Sequence, residues 1–521
     1  MNVPPESASE QNAASLETTT SPAAPTLSLL DQVLAATTVS PPTLPSGLLE
    51  KFHAENDPVA AIKLWRDESG IRNKIKTVAQ LQRLLNRDIA RIDRLLNAQV
   101  NAIIHHPRFQ KLEGSWRGLQ YLTRQIEDGA NAKIRILNLS WKALTRDMER
   151  AMEFDQSQLF RKVYNEEFDT SGGEPYSVLL CDHEVRLRPG PGAPTDDMET
   201  LKSVMQVAAA AFAPFITAAN PAMFGLESFT ELQRPMNLPG MFQQQEYVRW
   251  NALRKQEDSR FLGMVMPRML MREPWQDDGT RADGFRFQED TSDPHLNGHL
   301  FGNAVYGLGA VMIRAFCRSG WLADIRGIRQ DHEEGGLLAD LPHHHFGTDT
   351  KGIASRSSTD AMLTDRQEAE LSELGFTALC PCADTGFSAF HSTPSLQSPQ
   401  VYNEGQATVN ARLSSMMHYM LCVGRIAHYV KVLGREKVGS FSDPEDIQEY
   451  LNNWLQKYVT YDADAPEEIK AQYPLRAAEA EVKETPGKPG CYYMTINLQP
   501  HYQLDDMISA VKLTTEIGPT G

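Results

Sequence analysis

The side chains best suited to chemistry fall in a few crowded runs. His343-His344-His345, Cys380-Pro381-Cys382 and Asp331-His332-Glu333-Glu334 hold most of the candidate metal ligands and acid–base groups. Imidazole and thiolate bind transition metals when several converge on one point, but consecutive histidines point in different directions and need partners from elsewhere. The cysteines have one residue between them, not the two of a zinc knuckle or a redox pair, and no second pair follows. The acidic run sits beside Gly335-Gly336 and reads as an exposed turn. Gly307-Leu308-Gly309 lacks the third glycine and the preceding strand of a dinucleotide loop, so close helix packing is the better reading. A GxxxxGK[ST] loop, a GxSxG elbow and an HExxH pair are all missing from the sequence. The expectation is a protein with no catalytic residues, no cofactor and no metal site, and not an enzyme.

With chemistry set aside, the pattern of elements carries the information. Residues 1–47 are rich in Ser, Thr, Ala and Pro and hold neither Lys nor Arg, which predicts a disordered tail. Within it, 27–36 form a short amphipathic island: Ser28 can cap, and Leu29, Leu30, Val33 and Leu34 share one apolar face. Such an island either docks on its own domain or folds into a partner's groove. Residues 48–106 read as an N-terminal helical segment. Val78, Leu81, Leu85, Ile89, Ile92, Leu96 and Ile103 follow a 3.6-residue period, and Arg83, Arg87, Arg91 and Arg94 crowd the other faces.

From 107 to 490 the sequence predicts a mixed α/β (α+β) body. Strands are expected at 133–139, 177–181 and 260–266, and helices at 141–154, 195–215, 302–316, around 413–433 and at 443–458. A loop-rich region is expected over 329–405. Residues 491–521 read as terminal strands. Tyr492, Met494, Ile496 and Leu498 alternate with polar neighbours, and after Pro500 a second run places Val511, Leu513, Thr515 and Ile517 on one face. A two-stranded hairpin alone is marginal in water, and a bare edge invites another chain. Either these strands complete this chain's own sheet or they are offered to a neighbour.

Composition bounds the function classes. The formal net charge is −16, from 67 acidic and 51 basic residues, which argues against binding nucleic acid through bulk positive charge. No apolar run reaches the ~18 residues needed to span a bilayer. The first residues lack a basic, then apolar, secretory signal. With six cysteines and no signal, the expected compartment is the reducing cytoplasm, without membrane insertion.

At His106-Pro107-Arg108-Phe109-Gln110-Lys111-Leu112-Glu113-Gly114-Ser115-Trp116-Arg117-Gly118-Leu119 the chain resembles a known family: the large subunit of the type VI secretion contractile sheath, TssC or VipB-like. The likeness continues at Lys162-Val163-Tyr164-Asn165-Glu166-Glu167-Phe168-Asp169, at Thr364-Asp365-Arg366-Gln367-Glu368-Ala369-Glu370-Leu371 and at Arg425-Ile426-Ala427-His428-Tyr429. Leu498-Gln499-Pro500-His501-Tyr502-Gln503-Leu504 closes it. It covers roughly 50–517, in family order.

The resemblance implies a phage-tail-sheath-like, multidomain subunit that forms a heterodimer with a small sheath subunit (TssB, VipA-like). Such heterodimers, with further copies, build a helical tube around an inner tube protein (Hcp-like) on a baseplate, and the tube contracts to propel the inner tube for effector delivery. It also implies terminal strands shared between neighbouring protomers, here Tyr492 to Leu498 and Val511 to Ile517. By the same resemblance, Leu29, Leu30, Val33 and Leu34 are the residues that a ClpV-type AAA+ unfoldase would grip during recycling. Two rivals remain at this point: an enzyme whose metal or nucleotide site uses the histidines and Cys380/Cys382, and a contractile-tail sheath with a different target.

Overall fold

A computed structural model describes residues 46–68 and 75–501, apart from 128, 191, 281–283, 294–295, 297, 330–331, 344–356, 383–384, 438–443, 463–464 and 485–491. The chain divides into two compact units, Met1–His106 and Pro107–Gly521.

The first unit is helical where it is described: α1 (Ser46–Ala54), α2 (Pro58–Glu68) and α3 (Val78–Ile104). Thr77 starts α3 with a reciprocal capping box, its hydroxyl accepting from the Gln80 N–H while the Gln80 side chain accepts from the Thr77 N–H. Although α3 is 27 residues long and strongly amphipathic, none of its residues is buried. Ile89, Ile92, Leu95 and Leu96 are all exposed.

The second unit begins with α4 (Pro107–Arg124) and α5 (Trp141–Arg150). Its sheet is assembled from β1 (Leu179–Val185), β2 (Phe215–Ala219), β3 (Leu262–Met266), β4 (Leu337–Leu338), β5 (Thr377–Pro381) and β6 (Ser388–Phe390), in the order β1-β2-β3-β5-β6-β4. The first four strands in that order are parallel, and β6 runs antiparallel to both of its neighbours. Every residue of β2 and β3 is buried, as suits central parallel strands covered on both faces.

Helix α6 (Asp197–Ala210) lies on one side, over a core that includes Trp250 stacked on Phe376 with ring centroids 5.4 Å apart. On the other side α7 (Val305–Ser319) and α4 enclose a second core with Ile216, Val265 and Phe390. Gly307 and Gly309 lie inside α7, and a Cβ at Gly309 would meet Leu180 at 2.6 Å and Leu122 at 2.9 Å. These glycines permit close helix packing, as their pattern predicted. Helix α8 (Asp365–Glu373) starts from Thr364 with another capping box and delivers Leu371 to the first core.

Helix α9 (Met417–Lys437) joins the cores: Met420 packs into the first, Met417 and Leu421 into the second, and Cys422, Ile426 and Val430 into a third. That third core also takes Leu451 and Leu455 of α10 (Pro444–Leu455), and it is closed by the hairpin β7 (Leu475–Glu484) and β8 (Tyr492–Pro500).

Several expectations change. Residues 133–139 form no ladder among the described residues; Lys133 and Arg135 are instead tied to Glu174 and Glu167. Most of the described residues in 329–405 lie outside helices and strands, as expected, but the region also supplies β4, β5, β6 and α8. Strand β7 falls where no strand was expected. The island at Leu29, Leu30, Val33 and Leu34, and the run Val511, Leu513, Thr515 and Ile517, lie outside the described residues.

Candidate assembly interface

Strand β8 pairs antiparallel with β7, and the register sets Ala478 opposite Leu498, Ala480 opposite Ile496 and Val482 opposite Met494. Met494, Ile496 and Leu498 turn their side chains onto the third core, while Thr495, Asn497 and Gln499 are exposed. The alternation read from the sequence therefore has a physical counterpart: one face of the ribbon rests on α9 and α10, and the other is wet.

The two outer edges of the ribbon differ. On β7, the Ala480 N–H donates to the Asn452 amide oxygen at 2.8 Å, and the Asn452 Nδ2 donates back to the Ala480 carbonyl at 3.1 Å. The Val482 N–H donates to the Gln448 side chain at 3.0 Å, and the Gln456 Nε2 donates to the Ala478 carbonyl at 3.4 Å. Gln448, Asn452 and Gln456 stand four residues apart, so they form one stripe along α10 and the 3-10 turn Gln456–Tyr458 that continues it. This stripe replaces a neighbouring strand and satisfies the edge.

These bonds also fix which residues look outward. In an antiparallel pair, residues alternate between those that exchange backbone bonds with their opposite partner and those that do not. Ala478, Ala480 and Val482 bond away from β8, so their opposite residues Leu498, Ile496 and Met494 direct their N–H and C=O groups away from β7. On that side of β8 the structure shows, among the described residues, only the Tyr419 hydroxyl reaching the Leu498 carbonyl at 3.5 Å. Among the described residues, the β8 edge is otherwise open.

Among the described residues, the groups singled out for chemistry do not converge. His343 Nδ1 lies 3.1 Å from the Ser358 hydroxyl, whereas His344 and His345 are outside the described residues. Cys380 is buried in β5 and burial pushes its thiol pKa well up, which makes it a poor nucleophile. Cys382 is shifted the same way by the same cause. Among the described residues no three His, Cys, Asp or Glu side chains are placed to hold a metal ion. Nor, among them, is any helix long and apolar enough to cross a membrane.

The polar groups that do meet had no signal in the sequence. At the carboxyl ends of β1 and β3, Arg268 grips Glu184 bidentately at 2.5 and 2.6 Å, and Asn220 donates to the same carboxylate at 2.8 Å. Asp360 accepts from the Arg268 N–H at 2.9 Å. Burial works to raise the Glu184 pKa, but the Arg268 hydrogen bonds and charge outweigh it and hold Glu184 below its usual range. Burial of Asp360 wins over the same cation and pushes it up to about 7. Arg272 is likewise buried between Glu289 and Glu113, anchoring the loop after β3 to α4. Both clusters are closed ion-pair networks that fasten segments together.

Among the described residues, then, β8 has one edge with little covering it and α3 has an exposed apolar face. Residues 86–397 match the EvpB/VC_A0108 tail sheath N-terminal domain, and residues 406–517, which contain the hairpin, match the tail sheath gpW/gp25-like domain. The chain belongs to this VipB family of tail sheath proteins. It is 39% identical over 432 residues to the type VI secretion system sheath protein TssC1 of Pseudomonas aeruginosa, a match covering 82% of this chain and 85% of that protein. A solved baseplate of the anti-feeding prophage contains a chain similar at 9% identity and a TM-score of 0.31, over 71% of this chain and 80% of that one.

Proposed function

We propose that this chain is the large subunit of a type VI secretion contractile sheath. It pairs with a small, TssB- or VipA-like subunit, and the heterodimers, with further copies, stack into a tube around an Hcp-like inner tube on a baseplate. Contraction of that tube drives the inner tube outward to deliver effectors. The open outer edge of β8, beside a sealed edge on β7, is the observation that carries this reading. A strand from a neighbouring protomer aligned there finds outward N–H and C=O groups at Met494, Ile496 and Leu498. At roughly 0.5–1.5 kcal/mol net per bond, a handful of such bonds supplies several kcal/mol per joint. Segments joined this way stay paired while globular bodies rotate, and assembly into a higher-energy packing supplies the work of contraction. The terminal segment with Val511, Leu513, Thr515 and Ile517 is assigned to the same shared sheet.

In the same reading, the exposed apolar stripe of α3 is the surface on which the small subunit packs. Leu29, Leu30, Val33 and Leu34 form the handle for a ClpV-type unfoldase. Co-expression with the small subunit followed by negative-stain electron microscopy tests the assignment. Long hollow tubes with a cogwheel cross-section are expected; discrete globular particles under all conditions would refute it. Leu30→Asp with Leu34→Asp should leave tubes intact and block their disassembly by the unfoldase. Normal disassembly of the double variant would remove the handle from the account.

A further inference from the structure

One segment of the body is extended like a strand yet, among the described residues, belongs to no sheet. Between α4 and α5 the chain runs from Ala130 to Ser140 without a turn or a bend. Connections between helices are normally shorter, turn, and are polar. This one reads Asn131-Ala132-Lys133-Ile134-Arg135-Ile136-Leu137-Asn138-Leu139, with two β-branched residues among its aliphatic ones. Among the described residues, none of the backbone N–H and C=O groups of 131–139 has a hydrogen-bond partner.

Side chains hold the segment in place instead. Ile134 packs against the second core, which also takes Val178 and Leu180. Lys133 pairs with Glu174, and Arg135 pairs with Glu167 and, at 3.0 Å, with Glu174. The Arg135 guanidinium carbon also lies 5.7 Å from the centroid of the Tyr176 ring. Glu174 and Tyr176 immediately precede β1, the terminal strand of the sheet, which has β2 as its one neighbour among the described residues. Both cations of the segment are therefore matched, and what it presents outward is apolar. Ile136, Leu137 and Leu139 are 66%, 52% and 42% exposed. Large aliphatic side chains gathered this closely on a neutral surface mark a site of contact with another chain.

The backbone decides the form of that partner. A helix laid on the segment would cover the aliphatic side chains but bury N–H and C=O groups without acceptors and donors, which is costly. An extended strand covers the side chains and completes the backbone bonds together. We propose that 131–139 is a docking strand for the small sheath subunit, which adds an extended, alternately apolar segment along it. This rests on the sheath reading and supplies a second surface for the unlike partner, beside the stripe of α3. Symmetry argues against a second copy as the occupant. Identical segments pairing with each other close into a two-fold dimer, whereas a tube needs its copies joined head to tail. The two unpaired backbones then serve different chains: β8 meets neighbouring protomers, and 131–139 meets the small subunit.

Hydrogen exchange of 131–139, read by mass spectrometry on the full-length chain alone and co-purified with the small subunit, tests the docking strand. Amides facing the added strand should exchange about tenfold more slowly, or slower still, in the complex. Ile136→Asp with Leu139→Asp should cut the yield of co-purified small subunit by about tenfold, because charges replace apolar contacts at the joint. Both side chains are exposed, so exchange of β2 and β3 should be unchanged in that variant. A complex in which 131–139 exchanges as fast as in the free chain would overturn the docking strand and leave the sheath reading standing. Undiminished co-purification of the double variant would do the same. Protection of the chain alone that grows with its own concentration would also overturn it, by making a second copy the occupant. Failure to form any complex would overturn both readings.

Discussion

The two outer edges of one short hairpin receive opposite treatment. β7 meets the Gln448, Asn452 and Gln456 side chains, which copy four hydrogen bonds of a missing strand at Ala478, Ala480 and Val482. β8, with the same core beneath it, has among the described residues only the Tyr419 hydroxyl on its outward groups. A bare edge is a hazard that soluble proteins normally blunt. Under the proposed function this asymmetry gives the hairpin a direction, with a further strand adding beyond β8. Edge chemistry of this kind specifies a partner's position without any pocket or reactive group.

That contrast can be broken from the sealed side. Asn452→Leu keeps the volume and removes both bonds to Ala480, leaving an N–H and a C=O unpaired against the helix. The expected loss is about 2–4 kcal/mol of local stability, from the cost of unsatisfied buried groups. It should be seen as faster exchange of the Ala480 amide; unchanged exchange would mean that Asn452 is not the seal. Gln448→Leu removes one bond and should cost about 1 kcal/mol, read at the Val482 amide. Gln456→Leu, whose contact is longer, should cost less still.

A change of pH addresses the body and leaves both edges alone. Asp360 titrates at about 7 in the folded chain, well above the ~3.9 of an unfolded aspartate. The folded state therefore holds a proton that the unfolded state has released. The associated stability is complete below about pH 4 and is lost as pH rises through about 7. Asp360→Asn mimics the protonated form and should flatten this part of the stability–pH curve. The protection factor of the Ala480 amide, its exchange rate relative to the intrinsic rate at the same pH, should not change with either treatment, which is the smallest effect expected and a control on the contrast.

Much of this was legible from residue types. The alternation of Met494, Ile496 and Leu498 gave a half-buried strand, and the glycines of α7 gave close packing. The 3.6-residue stripe of α3 gave a helix, and the exposure of that stripe was invisible because periodicity does not say what covers a face. β7 escaped notice because Arg476-Ala477-Ala478-Glu479-Ala480-Glu481 is composed of good helix formers. Its extended form is imposed by β8 on one side and the amide stripe on the other, a tertiary override of local preference. The stripe itself was readable, as amides four residues apart on a helix, but its meaning needed the strand it covers. The Glu184–Arg268–Asp360 cluster joins residues far apart in sequence, with no local pattern to mark it. The expected strand at 133–139 has the right composition and finds no ladder among the described residues, since a strand is defined by its partner as much as by its own residues.

Ile496→Pro gives the most direct test that assembly proceeds by strand addition to β8. Ile496 points its N–H outward, away from β7, so proline there removes a donor from the open edge and none from the hairpin, a position where sheets tolerate proline. The measurement is electron microscopy of this variant and the unaltered chain, each co-expressed with the small sheath subunit, with Ala480 amide exchange recorded in parallel. The account predicts tubes from the unaltered chain and none from Ile496→Pro, with the Ala480 amide equally protected in both. Full-length tubes from the proline variant would contradict it.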